Sequence, residues 1–174
     1  GAGGHTGKYA LGPFLDEVRG FFDGPIAVGG GISTGQAVLA VETLGADFAY
    51  VGTRFLGAAE SMIGQGYRDM VIDSGIEDLI ASKAITGALG NWMKASVAAA
   101  GLDLNDMKAE AKIDFSGDMH SGAKAWKTVW SAGQGVGHIH QIEPMAQIVD
   151  RMAGEYDAAL TKLATRTQKQ GEPA

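Results

Sequence analysis

Pro25-Ile26-Ala27-Val28-Gly29-Gly30-Gly31-Ile32, followed one unit later by Asp47-Phe48-Ala49-Tyr50-Val51-Gly52-Thr53-Arg54-Phe55, sets the fold class. Each stretch is a short apolar run that reads as a buried parallel strand and ends in glycine where a helix can begin. Residues 33 to 44 between them read as a helix. Ser33 stands where an N-cap is expected, Gln36 three residues on completes a capping-box pattern, and Gly45 suits the C-terminal stop. Strand, helix and strand in this order predict an α/β fold with parallel strands at 26–29 and 48–52. Glycine lets the main chain approach an anion, and helix N-termini favour negative charge, so the two strand ends together form a candidate phosphate cradle. In barrels of alternating strands and helices, the loops after the last two strands often build such a site.

Outward from this pair, residues 1–9 read as a glycine-rich loop. Residues 12–22 read as an amphipathic helix with Phe14, Leu15, Val18, Phe21 and Phe22 on one face, stopped by Asp23-Gly24-Pro25. After Phe55, residues 66–73 and 76–82 read as short elements. Gly90-Asn91 opens a predicted helix to about Ala100, closed by Gly101. Residues 103–122 read as a polar loop and 123–130 as a helix carrying Trp126 and Trp130 on one face. Ala132-Gly133-Gln134-Gly135-Val136-Gly137 is a third glycine turn. Residues 143–163 form a closing helix with Met145, Ile148, Val149, Met152, Tyr156 and Leu160 as its apolar stripe, and residues 166–174 a frayed polar tail.

The chain of 174 residues is 45% hydrophobic and 20% charged, as expected of a globular protein with a substantial core. Its net charge of −6, with no basic patch interleaved with aromatics, argues against nucleic acid as a partner. Without cysteine there is no disulfide, thiolate nucleophile or Cys-ligated metal. No apolar run approaches the ~20 residues that span a bilayer, which argues against a membrane protein, and with no visible signal peptide a cytoplasmic location is expected. A start at Gly1-Ala2-Gly3-Gly4-His5-Thr6-Gly7, without Met or a preceding strand, reads as a cut through the middle of a domain. Asp69, Asp73, Glu77 and Asp78 read as a solvated face.

Gly3-Gly4-His5-Thr6-Gly7, Gly30-Gly31-Ile32, Gly52-Thr53-Arg54-Phe55-Leu56 with Glu60-Ser61, Thr86-Gly87 to Lys94, and the turn 132–137 occur in an order and spacing that together resemble the nitronate monooxygenase family, formerly 2-nitropropane dioxygenases. The resemblance runs from residue 1 to about 163. It implies the C-terminal portion of an FMN-dependent TIM (β/α)8 barrel, with residues 1–58 as βα units of strands 7 and 8. An inserted helical segment would follow over 59–131, then the glycine turn, closing helix and tail over 132–174. A complete barrel of this kind usually needs about 250 residues. The N-terminal portion of the same barrel is therefore an expected partner. Two parallel strands cannot close a barrel, so poor stability or association is expected of residues 1–174 alone. The inserted segment offers a face for a possible homodimer.

The resemblance implies oxidation of alkyl nitronates or nitroalkanes by O2 to a carbonyl compound and nitrite, with FMN as cofactor. His5, in a glycine-rich loop at a strand end, is the catalytic candidate, as a base for the α-proton or a partner for the nitronate; the plainer alternative is a flexible terminal histidine. Gly3, Gly4, Gly29, Gly30, Gly31, Gly52, Thr53, Gln134 and Gly135 are the cofactor-binding candidates, supplying N–H donors, a hydroxyl and a side-chain amide. Tight turns and close packing alone also account for these glycines, and a plain turn accounts for Gln134. Arg54 can neutralise phosphate, pair with a carboxylate or cap a helix. His138-Ile139-His140 lacks the further ligands of a metal site, so no metal is expected. His120 reads as solvated, and the tryptophans as core or interface.

Two rivals remain. FMN in the same fold also serves reduction of an enoyl thioester or a quinone by a nicotinamide donor. A non-catalytic fragment that keeps a phosphate-binding βα pair is the reading from a different class.

Overall fold

The computed structural model describes residues 1–109 and 129–170. Chain order runs β1 (Gly4–His5), α1 (Leu11–Arg19), β2 (Ala27–Gly29), α2 (Gly35–Thr43), β3 (Phe48–Tyr50), a 3-10 turn (Thr53–Gly57) and α3 (Gln65–Ile72). A second 3-10 turn (Ile76–Asp78), β4 (Leu79–Ser82), β5 (Gly90–Met93), α4 (Lys94–Ala99), α5 (Leu104–Lys108), a third 3-10 turn (Val136–His138) and α6 (Met145–Gln170) follow. Residues 123–128 of the expected helix, His120 and Trp126 lie outside the described residues, as does most of the expected loop, and residues 129 and 130 are not helical. None of the described helices is long and apolar enough to cross a membrane.

The β2–α2–β3 unit forms as its sequence predicts. β2 and β3 pair in parallel, with Val28 opposite Ala49 and Gly29 opposite Tyr50. At the end of α2, Gly45 adopts φ +102°, its N–H donates to the Glu42 carbonyl, and the Ala46 N–H donates to that of Val41. This double closure needs a left-handed residue, hence glycine. Leu15, Val28, Ile32, Val41 and Ala46 form the core of the unit. The start of α2 differs from expectation by one residue. Thr34, not Ser33, is the N-cap, its hydroxyl accepting the Ala37 N–H at 3.2 Å. The shift turns Ser33 away from capping.

Three further expectations are corrected. β3 is not covered on both faces: Phe48 is 61% and Tyr50 74% exposed, because β2 is its only partner strand among the described residues. On α1 Leu15 is buried but Phe14 is exposed, and the helix stops at Arg19, short of Phe21 and Phe22, which are also exposed. The Arg19 guanidinium leaves the helix to bind the Gly45 carbonyl and the Asp47 carboxylate. The Ile26 N–H, followed by Arg19, holds the Asp47 carboxyl below its ordinary value.

Residues 90–93 are a strand rather than the start of a helix, and residues 4–5 are a strand rather than loop. β5 lies between β1 and β4, antiparallel to both, and all four of its residues are buried. Trp92 donates its indole N–H to the Ser82 carbonyl across the β4–β5 hairpin. Pairing on two edges with full burial outweighs local helical preference. The helix expected there is confined to α4, which Gly101 at φ +76° closes as Gly45 closes α2.

α6 begins two residues later than expected and continues to Gln170. Its N-terminal Met145 N–H is capped by Glu60 at 2.8 Å. Along the expected stripe Ile148 is fully buried, whereas Met145, Val149 and Leu160 are exposed. α6 packs on α2 at unusually short range. A Cβ on Gly35 would sit 2.0 Å from the Met152 carbonyl oxygen and 2.3 Å from the Tyr156 nitrogen. The Glu155 carboxylate accepts the Gly35 N–H at 2.8 Å, and the Tyr156 hydroxyl donates to Glu42 at 2.6 Å.

Arg54, open between three roles in the sequence, pairs with a carboxylate. Its Nη2 lies 2.9 Å from Glu143 Oε2, with the two side chains 4% and 2% exposed. Gln141 and Arg151 hold the other carboxylate oxygen. The Glu143 backbone joins the same contact, donating to the Gly57 carbonyl and accepting the Ala59 N–H. Donation from Gln141, with Arg54 and Arg151 close by, keeps the Glu143 carboxyl below its ordinary value against the opposing effect of burial.

Two tests follow from this packing. Gly35→Ala forces α2 and α6 apart and lowers stability by about 1–3 kcal/mol in denaturant unfolding. Glu143→Gln leaves Arg54 buried without its counter-charge and costs about 3 kcal/mol. The Glu143 contribution is fully present above the ordinary carboxyl value of about 4.3 and is lost as pH falls through the lowered folded value. Unfolding followed from neutral to acid pH should therefore show the wild-type advantage over Glu143→Gln shrinking only on the acid side.

Candidate active site

Four backbone segments, around Gly3, Gly30, Gly52 and Gly133, converge at the ends of β2 and β3. A cavity of about 430 Å³ is lined by Gly3, the Gly29–Gly31 turn, Ser33, Gly52, Thr53 and Gly135, with Tyr50, Leu56, Tyr67 and Ser131 among its walls. Seven of the cofactor-binding candidates, namely Gly3, Gly29, Gly30, Gly31, Gly52, Thr53 and Gly135, therefore meet in one place. Among the described residues no charged side chain lines it.

Close approach explains the small residues. A Cβ on Gly3 would lie 2.7 Å from the Gly133 nitrogen, and one on Gly133 would lie 2.9 Å from the Gly3 nitrogen. Gly30 and Gly31 adopt φ of +119° and +69°. The Gly1 carbonyl accepts N–H donors from two turns, Gly31 at 3.1 Å and Gln134 at 2.9 Å. Thr53 Oγ1 accepts the Gly133 N–H at 2.9 Å. That bond occupies a lone pair and leaves the hydroxyl proton able to point into the cavity.

Ser33 is a cavity residue that the sequence presents only as a helix cap. It is 3% exposed, it lines the cavity, and its Oγ has no hydrogen-bond partner. Buried hydroxyls are ordinarily satisfied, so an orphan at a cavity wall calls for a ligand acceptor. A Cβ on Gly135 would fall 2.0 Å from this oxygen. Gly135 thus leaves room for the Ser33 side chain at the wall, and the orphan hydroxyl it admits there fits a compact oxyanion such as a phosphate ester. The sequence carried a signal for this: Ser33 and Thr34 are adjacent, and only one of them can cap α2.

His5, Gly4 and Gln134 lie outside that cavity. Gly4 and His5 border a second cavity of about 310 Å³, whose walls include Trp92, Val129 and Trp130. Tyr67 and Ser131 line both cavities, so the two share a wall. Tyr67 stacks on Trp130 with centroids 5.0 Å apart and donates its phenol to the Ser131 carbonyl. Burial raises the Tyr67 pKa, so the phenol stays protonated and the wall stays fixed. Gln134 is exposed and borders a third cavity, of about 360 Å³, on the other side of the Gly29–Gly31 turn. His138 and His140 are exposed.

A family model described as nitronate monooxygenase matches residues 1–155. The nitronate monooxygenase npaC of Metarhizium robertsii is 27% identical over 183 aligned residues, covering 92% of this chain and 51% of that protein. A nitronate monooxygenase of Paraburkholderia phytofirmans is 32% identical over 111 residues, covering 59% of this chain and 30% of that protein. FabK from Thermotoga maritima superposes with a TM-score of 0.71 at 24% identity, over 95% of this chain and 54% of that chain. Nitroalkane oxidase from Streptomyces ansochromogenes does so with a TM-score of 0.70 at 26% identity, over 93% and 51%. The chain thus spans about half the length of npaC and of both solved chains. Its architecture is that of part of an α/β barrel. On the match of residues 1–155, with the converging glycine turns as its structural counterpart, the chain belongs to the nitronate monooxygenase family, a family of oxidoreductases.

Proposed function

We propose that this chain supplies the phosphate-holding and proton-handling parts of an FMN-dependent enzyme that oxidises alkyl nitronates or nitroalkanes with O2 to a carbonyl compound and nitrite. The observation that carries the proposal is the 430 Å³ cavity with its orphan Ser33 hydroxyl. Its residues fit a phosphate monoester held by neutral donors. Ser33 Oγ and the Thr53 hydroxyl donate, and the Gly29–Gly31, Gly52 and Gly135 backbone leaves room for the phosphate oxygens. FMN, when bound, supplies the redox chemistry.

The chain's own residues do the rest. Tyr67 and Ser131, shared by both cavities, separate the phosphate end from the His5 end. His5 takes the α-proton of a nitroalkane; the C–H electron pair passes into the nitro group as the nitronate forms, and the ring becomes imidazolium. The rings of Tyr67, Trp92 and Trp130 give the second cavity an apolar wall that excludes water around an alkyl substituent. Other strands of the barrel cover Phe48 and Tyr50.

The test begins with the absorption spectrum of the protein titrated with FMN. Flavin bands that shift on binding are expected, with nitrite released from an alkyl nitronate under air. Ser33→Ala should weaken FMN binding about tenfold, the loss of one hydrogen bond to a charged group. Gly135→Ala should abolish it by driving the Ser33 side chain out of its place. Protein that takes up no FMN sinks the proposal. Flavin uptake with nicotinamide-dependent reduction of an enoyl thioester or quinone, and no nitrite, would move the activity to that rival.

A further inference from the structure

The His5 ring is not held by its own strand alone. Its Nε2 lies 3.2 Å from Thr86 Oγ1, a residue of the β4–β5 loop. Main-chain bonds fix the loop against β1: His5 pairs with Gly90, and the Thr6 N–H donates to the Leu89 carbonyl at 2.9 Å. The Thr86 hydroxyl lies 3.0 Å from the Ala88 carbonyl oxygen, placed to donate its proton there, while its oxygen accepts the Ala88 N–H at 3.3 Å. A hydroxyl has one proton. With that proton on Ala88, the bond to His5 can only run from the ring to the oxygen.

From this geometry we infer that Thr86 is a positioning residue for His5, holding the neutral imidazole as its Nε2–H tautomer and placing the proton-accepting lone pair on Nδ1. Which ring nitrogen accepts is set by the bond the other one makes. The inference deepens the role proposed for His5 and rests on it for its catalytic meaning. The tautomer itself is independent of flavin. Gly87 at φ +79° forms the turn that lets Thr86 and Ala88 close on each other, so the loop is shaped to spend the hydroxyl proton internally.

The test is the nitrogen-15 spectrum of the imidazoles in the labelled protein at alkaline pH, with His5 assigned by the signal lost in His5→Gln. Wild-type protein should show a protonated Nε2 and an unprotonated Nδ1. Thr86→Val should move both nitrogens toward the averaged positions of exchanging tautomers, and Thr86→Ser should restore them. The same pair of variants should lower and then restore kcat/KM for a neutral nitroalkane, about tenfold in Thr86→Val. A wild-type proton on Nδ1, or nitrogen shifts in Thr86→Val identical to the wild type, overturns the inference. Failure to take up FMN would sink the function proposed above, whereas the nitrogen spectrum would still decide the role of Thr86.

Discussion

Residues 3, 53 and 133 come within contact distance of one another, and the approach is possible only because two of the three have no Cβ. A methyl on Gly3 or Gly133 would strike backbone nitrogen of the other segment at less than 3 Å. Backbone has no rotamer by which to yield, so a side chain at either place must push apart the Gly3 loop and the turn after residue 131. Everything at the candidate site depends on that approach. It delivers the Gly133 N–H to Thr53, brings Gly135 to the rim of the cavity beside Ser33, and sets Ser131 on the wall shared with the His5 cavity.

How far the sequence could be read follows from how local each signal is. The β2–α2–β3 unit was legible because its information is local: two apolar runs, a polar cap, a glycine stop. Residues 90–93 misled because their conformation is decided by β1 and β4, partners remote in sequence, and isolated Gly-Asn resembles a helix start. The exposed Phe48 and Tyr50 misled for the converse reason, since an apolar strand announces burial without announcing what covers it. At the site, the glycine turns could be found one by one, but their meeting is a tertiary fact. Ser33 was visible only as one of two adjacent hydroxyl residues competing for one cap. The place of His5 beside, rather than inside, the glycine-lined cavity came only from its pairing with β5.

Charge among the described residues is distributed so that none lines the cavity. Arg54, next to Thr53 in sequence, is drawn into a buried pair with Glu143. The leading N–H of α2, at Gly35, is taken by the Glu155 carboxylate. A dianion arriving here would meet hydroxyls and backbone dipoles, whose strength comes from fixed orientation and exclusion of water rather than from counter-charge. Such a site discriminates by shape, because donors set by turns and packed glycines cannot follow an oxyanion of different geometry.

The carbonyl of Gly1 has a further consequence. It accepts from both Gly31 and Gln134, so two turns far apart in the chain hang from a single oxygen. Neither amide can keep its bond if that oxygen moves. The two protons are thus expected to exchange with solvent in one opening event, as members of one cooperative unit. A ligand that steadies either turn would slow exchange at both.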